Sequence, residues 1–179
     1  MSERFAPRDA LMTLLQRGVR FVLIGGYAAS ARGAELLTGD IDICYARDEG
    51  NLERLAATLR ELGAKLRGRG VPDDVPFRLD APALRLGDTF TFDTDLGKID
   101  ISGTPSGTTG FPDLDAGATD VDLGDGLVVR VASIDDLMRM KRAVGRTKDL
   151  LHLEHLAALR EEIDAFRARG LDPQQGDPG

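Results

Sequence analysis

Two carboxylates stand one residue apart in "TGDIDICY", Asp40 and Asp42, inside an otherwise apolar run. Side chains on a strand alternate between faces, so Asp40 and Asp42 point one way while Ile41 and Ile43 point the other. The isoleucines suit a core. The aspartates become like charges roughly 6–7 Å apart, which repel on a half-buried sheet. A divalent cation reverses the sign of that interaction, and Mg²⁺ is commonly held by one or two carboxylates together with substrate phosphates. A third acid, Asp100 in "GKIDIS", lies between Ile99 and Ile101, a costly place for an unpaired charge. Three strand-borne aspartates are the oxygen ligands that metal-assisted phosphoryl chemistry uses. A solvated edge strand with its aspartates in water is the competing reading of the first pair.

Upstream of the pair, "RFVLIGG" reads as a short buried strand stopped by Gly25 and Gly26. Glycine at a strand end that opens a helix lets backbone N–H groups approach phosphate oxygens. The alanine-rich stretch that follows reads mostly as packing, with Ser30 a candidate contact for the same anion. Downstream, Arg139, Lys141, Arg142, Arg146 and Lys148 form a local basic run in an acidic protein, as expected where a triphosphate docks. A solvated helix face is the alternative for this run, and we assign Arg139 and Arg142 to it. Asp93 and Asp95 read as turn residues. Cys44 reads as a small core residue. His152 and His155 lie one helical turn apart with no third zinc ligand in view.

These residues need a scaffold. "DALMTLLQRG" places Leu11, Leu14 and Leu15 at helical spacing, and "NLERLAATLRELG" places Leu52, Leu55, Leu59 and Leu62 on one helical face. "DTFTFDTDLGKIDIS" and "VDLGDGLVVRVAS" read as hairpins. The span from about Val71 to Asp80 and the stretch "PSGTTGFPD" read as loops. Ser133 and Asp136 make a capping-box-like helix start. A long helix is expected from about Arg146 to Arg169, with Leu156, Leu159, Ile163 and Phe166 as its buried stripe. The fold class is α+β with an α/β-like core: a small mixed β-sheet, helices packed on it, and C-terminal helices. Residues 1–170 are expected to form one domain, with 171–179 as a disordered tail.

Composition sets outer bounds. The 179 residues carry a net charge of −7, with 42% hydrophobic and 30% charged residues. That composition is globular. Its acidity disfavours coating long DNA, while a small ligand or a short stretch of RNA held by a local patch remains compatible. No apolar run approaches the ~20 residues needed to cross a bilayer. With one cysteine and no signal-peptide pattern at "MSERFAPRDA", a cytoplasmic location is expected.

Gly-Gly, thirteen residues, Asp-Ile-Asp, and a later apolar-Asp-apolar strand resemble the DNA polymerase beta-type nucleotidyltransferase superfamily. Within it the chain is most similar to the minimal bacterial branch that includes AbiEii-like toxins and small stand-alone enzymes. The similarity continues through "GTTGFPDL" and "VRVASIDDLMRMKRAVGRTKDL", from about Phe21 to Leu156. The toxin-like pattern often carries an Asp where this chain has His152. The resemblance implies that Asp40, Asp42 and Asp100 are the catalytic carboxylates and metal ligands. It implies that Gly25 and Gly26 cradle a triphosphate and that Lys141, Arg146 and Lys148 neutralise phosphates. Asp149 would orient a lysine or contact substrate. The implied reaction is Mg²⁺- or Mn²⁺-dependent transfer of a nucleoside monophosphate from an NTP to an acceptor hydroxyl. The acceptor could be tRNA or another RNA, a protein or a small molecule. A toxin would add an antitoxin partner. A catalytically silent nucleotide-binding or interaction module on the same fold is the alternative.

Overall fold

The computed structural model describes residues 5–68 and 77–170. The expected tail at 171–179, and the part of the expected loop at 71–76, lie outside the described residues. The elements run α1 (Pro7–Gln16), β1 (Phe21–Ile24), α2 (Gly25–Ala31), β2 (Asp40–Tyr45), α3 (Glu49–Glu61), β3 (Lys65–Leu66), α4 (Ala81–Leu86), β4 (Thr89–Thr94), β5 (Gly97–Ser102), α5 (Phe111–Gly117), β6 (Thr119–Asp122), β7 (Val128–Val131), α6 (Ile134–Val144) and α7 (Thr147–Ala168). Among the described residues, seven strands make one mixed sheet in the order β3-β4-β5-β2-β1-β7-β6. β2 is therefore central. It is antiparallel to β1 and parallel to β5, which removes the edge-strand reading of "TGDID".

Strand alternation separates core from site. Ile41 and Ile43 on β2, Ile99 and Ile101 on β5, Phe92 on β4 and Tyr45 are all fully buried in one hydrophobic cluster with Leu11, Leu14, Leu52, Leu55 and Leu59 from α1 and α3. The Tyr45 hydroxyl is satisfied inside that core by donating to the Asp88 carbonyl at 3.0 Å. The opposite face of the same strands carries Asp40, Asp42 and Asp100. Thus one periodicity drives collapse and presents the acids.

Local chemistry fixes the element ends. Asp48 caps α3 by accepting from the Asn51 amide at 3.0 Å, and Ser133 caps α6 by accepting from the Asp136 amide at 3.1 Å. α6 ends at Gly145 in the left-handed conformation, φ +65°, which turns the chain into α7.

Several expectations need correction. "FPD" is not loop: Phe111–Gly117 form α5, with Pro112 tolerated in the first turn where its missing N–H costs nothing. Just past the expected loop, where the sequence reading assigns no element, Ala81–Leu86 form α4, started by Asp80, whose side chain accepts from the Ala83 amide. In α7, Leu156 is fully buried, but Phe166 is exposed, because only the first half of that helix packs deeply on the domain. Asp93 lies within β4 rather than in the turn.

Candidate active site

The β2–β5 register sets Asp42 directly opposite Asp100, and Asp40 sits one pleat away on the same face of β2. Each of the three acids offers a carboxylate oxygen such that all three oxygens lie within 4.8 Å of one another. Among the described residues this is the one group of three or more His, Cys, Asp or Glu side chains whose ligand atoms converge in this way. All three are partly accessible from solvent. Three hard oxygen donors at this spacing fit Mg²⁺ or Mn²⁺.

Each acid has its own support. The Thr38 hydroxyl donates to Asp40 Oδ1 at 2.8 Å and fixes its rotamer. Asp42 packs on Gly25, where a Cβ would sit 2.7 Å from Asp42 Cγ. Gly25 also has φ +72°, a conformation L side chains rarely adopt, so both backbone and space demand glycine there. Gly26 faces Thr38: a Cβ on it would lie 3.1 Å from the Thr38 Cβ. The two glycines therefore make room for the carboxylate apparatus while opening α2. Asp100 accepts from Arg67 Nη2 at 2.9 Å. Burial pushes the Asp100 carboxyl above the usual range; the Arg67 charge opposes the rise, and the charges of Asp40 and Asp93 add to it.

The remaining candidates fall into two sets. Ser30 spends its hydroxyl on the Leu36 carbonyl at 2.8 Å, tying α2 to the loop that leads into β2. Lys141 on α6 pairs with Asp149 on α7 at 3.3 Å, and both are largely buried. Asp149 thus holds a lysine, across the turn that Gly145 makes. Its second oxygen, Oδ2, is buried and has no hydrogen-bond partner among the described residues. Arg146, the N-cap residue of α7, is exposed, and Lys148 lies on the first turn of α7. α6 packs on α2, the helix that Gly25 and Gly26 begin.

Arg139 is not a solvated helix face. It bridges Asp113 on α5 at 3.1 Å and Asp136 at 2.8 Å. Asp113 also accepts from the Thr109 amide at 2.9 Å. The "GTTGFPDL" segment is thereby fastened to α6. The hydrogen bonds from Arg139 and Thr109 hold the Asp113 carboxyl below the usual carboxylate range. Cys44 is buried, and burial pushes its thiol up to about 12, which leaves it protonated and unreactive at neutral pH.

Sequence reasoning missed Arg67. Its signal was weak: β3 is two residues long, and "AKLRGRG" has no strand-like run. Only the sheet register reveals that Arg67 shares a face with the acids.

No protein-family model matches the chain, and no curated protein matches its sequence. Comparison with solved structures finds similar chains. The crystal structure of lincosamide antibiotic adenylyltransferase LnuA, bound to lincomycin, superposes with a TM-score of 0.57 at 15% identity, over 87% of this chain and 99% of that one. The solution structure of the antibiotic-resistance factor ANT(2″)-Ia aligns over 90% of this chain and 89% of that one, at 17% identity and a TM-score of 0.48. The first likeness establishes the fold: a mixed sheet with C-terminal helices, as in LnuA. Among the described residues no helix is long and apolar enough to cross a membrane.

Proposed function

We propose that this chain is a divalent-metal-dependent nucleotidyltransferase, moving a nucleoside monophosphate from an NTP to an acceptor hydroxyl. The observation that carries this reading is the convergence of Asp40, Asp42 and Asp100 on one sheet face, their oxygens within 4.8 Å of one another, in a chain with this fold. Asp40, Asp42 and Asp100 would hold Mg²⁺ or Mn²⁺, which would supply Lewis-acid charge at the reacting phosphate.

The protein's own residues bind and orient. Gly25 and Gly26 leave the start of α2 open to phosphate oxygens. Lys141, held by Asp149, and Arg146 and Lys148 supply positive charge to the triphosphate. In the transfer, the acceptor oxygen forms a bond to the α-phosphorus while the bond from that phosphorus to the bridging oxygen of pyrophosphate breaks. The proton of the acceptor hydroxyl passes to the Asp100 carboxylate and then to water.

A small-molecule hydroxyl is the acceptor we favour. The net charge of −7 gives little general attraction for a polyanion, and LnuA, on the same fold, is named for adenylylating an antibiotic. An RNA 3′ end, including tRNA, and a protein hydroxyl are the other acceptors; an RNA or protein target would suit a toxin with an antitoxin partner, acting in the cytoplasm. A second reading, nucleotide binding without turnover, is favoured by one observation: Arg67 already occupies Oδ1 of Asp100.

Incubation with each α-³²P-labelled NTP, Mg²⁺ or Mn²⁺, and separate pools of RNA, protein and hydroxylated small molecules tests the proposal. Label transferred to one pool with release of pyrophosphate supports it. Metal-dependent NTP binding with no label transferred to any pool supports the silent reading.

A further inference from the structure

Arg67 stands in the same row as the acids. The β3–β4 register pairs Lys65 with Asp93 and Leu66 with Phe92, and the ladder continues by one residue: the Arg67 amide donates to the Thr91 carbonyl at 2.7 Å, and the Thr91 hydroxyl donates back to the Arg67 carbonyl. Thr91 is opposite Asp100, and Asp100 is opposite Asp42. Arg67, one residue past β3, therefore lies side by side on one face with Thr91, Asp100 and Asp42 of the three neighbouring strands. Thr91 is short, so the Arg67 side chain passes over it and reaches Asp100 Oδ1.

The guanidinium is shared. While Nη2 donates to Asp100, Nε lies 3.3 Å from Asp93 Oδ1 as an ion pair, yet among the described residues that buried Nε has no hydrogen-bond partner. A small pivot toward Asp93 would give Nε its missing partner and free Asp100. Both resting places lie within reach of one anchored backbone. The charges demand something of this kind, because three carboxylates within 4.8 Å repel when no cation lies among them.

We propose that Arg67 is a guard on the third carboxylate: it holds Asp100 in the metal-free protein, and hands that oxygen over to an arriving divalent ion by pivoting onto Asp93. This rests on the reading of the triad as a metal site. The guard weakens binding of the bare ion, so the site fills most readily when a nucleotide brings the ion with it. Arg67 is a positioning residue in this scheme. It acts through Asp100.

The test uses Mn²⁺ alone as probe, with the full chain and isothermal titration calorimetry alongside thermal unfolding in chelator. Arg67→Gln is expected to tighten Mn²⁺ binding about tenfold, equal to ~1.4 kcal/mol, and to lower the unfolding temperature of the metal-free protein. Arg67→Lys, which keeps the charge without the two-pronged reach, should tighten binding less. Lys65→Ala removes a like charge from the same strand face and should change Mn²⁺ affinity less than about twofold. If Arg67→Gln and Arg67→Lys both leave Mn²⁺ affinity unchanged or weaker, or if Lys65→Ala matches Arg67→Gln, the guard is overturned and the metal site stands. If the wild-type protein takes up no Mn²⁺ with or without NTP, the metal-site reading itself falls, and the guard with it.

Discussion

Gly25 and Asp42 occupy the same small volume: the carboxylate of Asp42 on β2 fills the space that a side chain at Gly25 would need, and Gly25 in turn adopts φ +72°. The strand end, the start of α2 and the site carboxylate are thus one packing unit. Gly25→Ala brings a strained backbone together with a collision. We expect a loss of about 1–3 kcal/mol of stability, read by chemical denaturation, and at least a tenfold loss of Mn²⁺-dependent NTP binding, because Asp42 is pushed out of the triad. Unchanged binding in a folded Gly25→Ala protein would show that Asp42 does not need this seat.

Replacing Asp42 or Asp100 with Asn keeps shape and removes one negative charge. In chelator, Asp42→Asn should be as stable as wild type or more stable by up to about 1 kcal/mol, since like-charge repulsion across β2 and β5 is relieved, whereas Asp100→Asn also gives up its ion pair with Arg67 and should gain less. Turnover should fall by orders of magnitude. Thermal unfolding and pyrophosphate release, measured on the same samples, should therefore move independently. A large loss of metal-free stability in both variants would make these aspartates structural hydrogen-bond acceptors instead.

Lys141 and Asp149 form a largely buried ion pair across the α6–α7 turn. Lys141→Ala leaves the Asp149 carboxylate buried without its cation, and should cost about 3 kcal/mol. The double change Lys141→Met with Asp149→Leu should recover most of that loss, yet bind NTP more weakly than wild type. Denaturation separates the structural effect from calorimetric NTP affinity. Full NTP affinity in the double variant would mean that the pair serves the fold alone.

Asp113 gives a pH signature. Its folded carboxyl lies below the ordinary range, first because Arg139 hydrogen-bonds it and then because the Thr109 amide does. A depressed folded pKa means stability that is present above the unfolded carboxylate value and is lost as pH falls through the folded one. Asp113→Asn should cost about 1 kcal/mol at pH 7, and the gap from wild type should close as pH falls through the acid range below about 4. Urea midpoints across that range measure the gap. A gap that widens toward acid would contradict the assignment.

Much of this protein is readable from its residues, and what is not has a physical cause. The alternation in "DIDICY" and "KIDIS" marks both strands and puts Asp40, Asp42 and Asp100 on the polar side, because a period of two admits few other solutions. What the alternation leaves open is which strands are neighbours. The parallel β2–β5 pairing that sets Asp42 beside Asp100 is a long-range contact, and no local signal encodes it. Arg67 was hidden for the same reason: its importance is its row in the sheet, two strands from Asp100. The α5 helix was hidden by "GTTGFPD", where Gly and Pro signal a loop although Pro112 sits in the one turn of a helix that tolerates it. Arg139 reads as a surface charge in its helix, and its partner Asp113 comes from a different element.

The central claim is that Asp40, Asp42 and Asp100 hold a divalent ion together with a nucleotide, and thermal unfolding with ATP, GTP, CTP and UTP in turn, in Mg²⁺ or in chelator, tests it most directly. A ligand that binds only the folded state at a hundredfold excess over its dissociation constant adds about 2.7 kcal/mol. The account predicts that at least one NTP stabilises the wild-type protein in Mg²⁺, that chelator removes the effect, and that Asp42→Asn removes it as well. Equal stabilisation by an NTP in Mg²⁺ and in chelator, undiminished in Asp42→Asn, would contradict it.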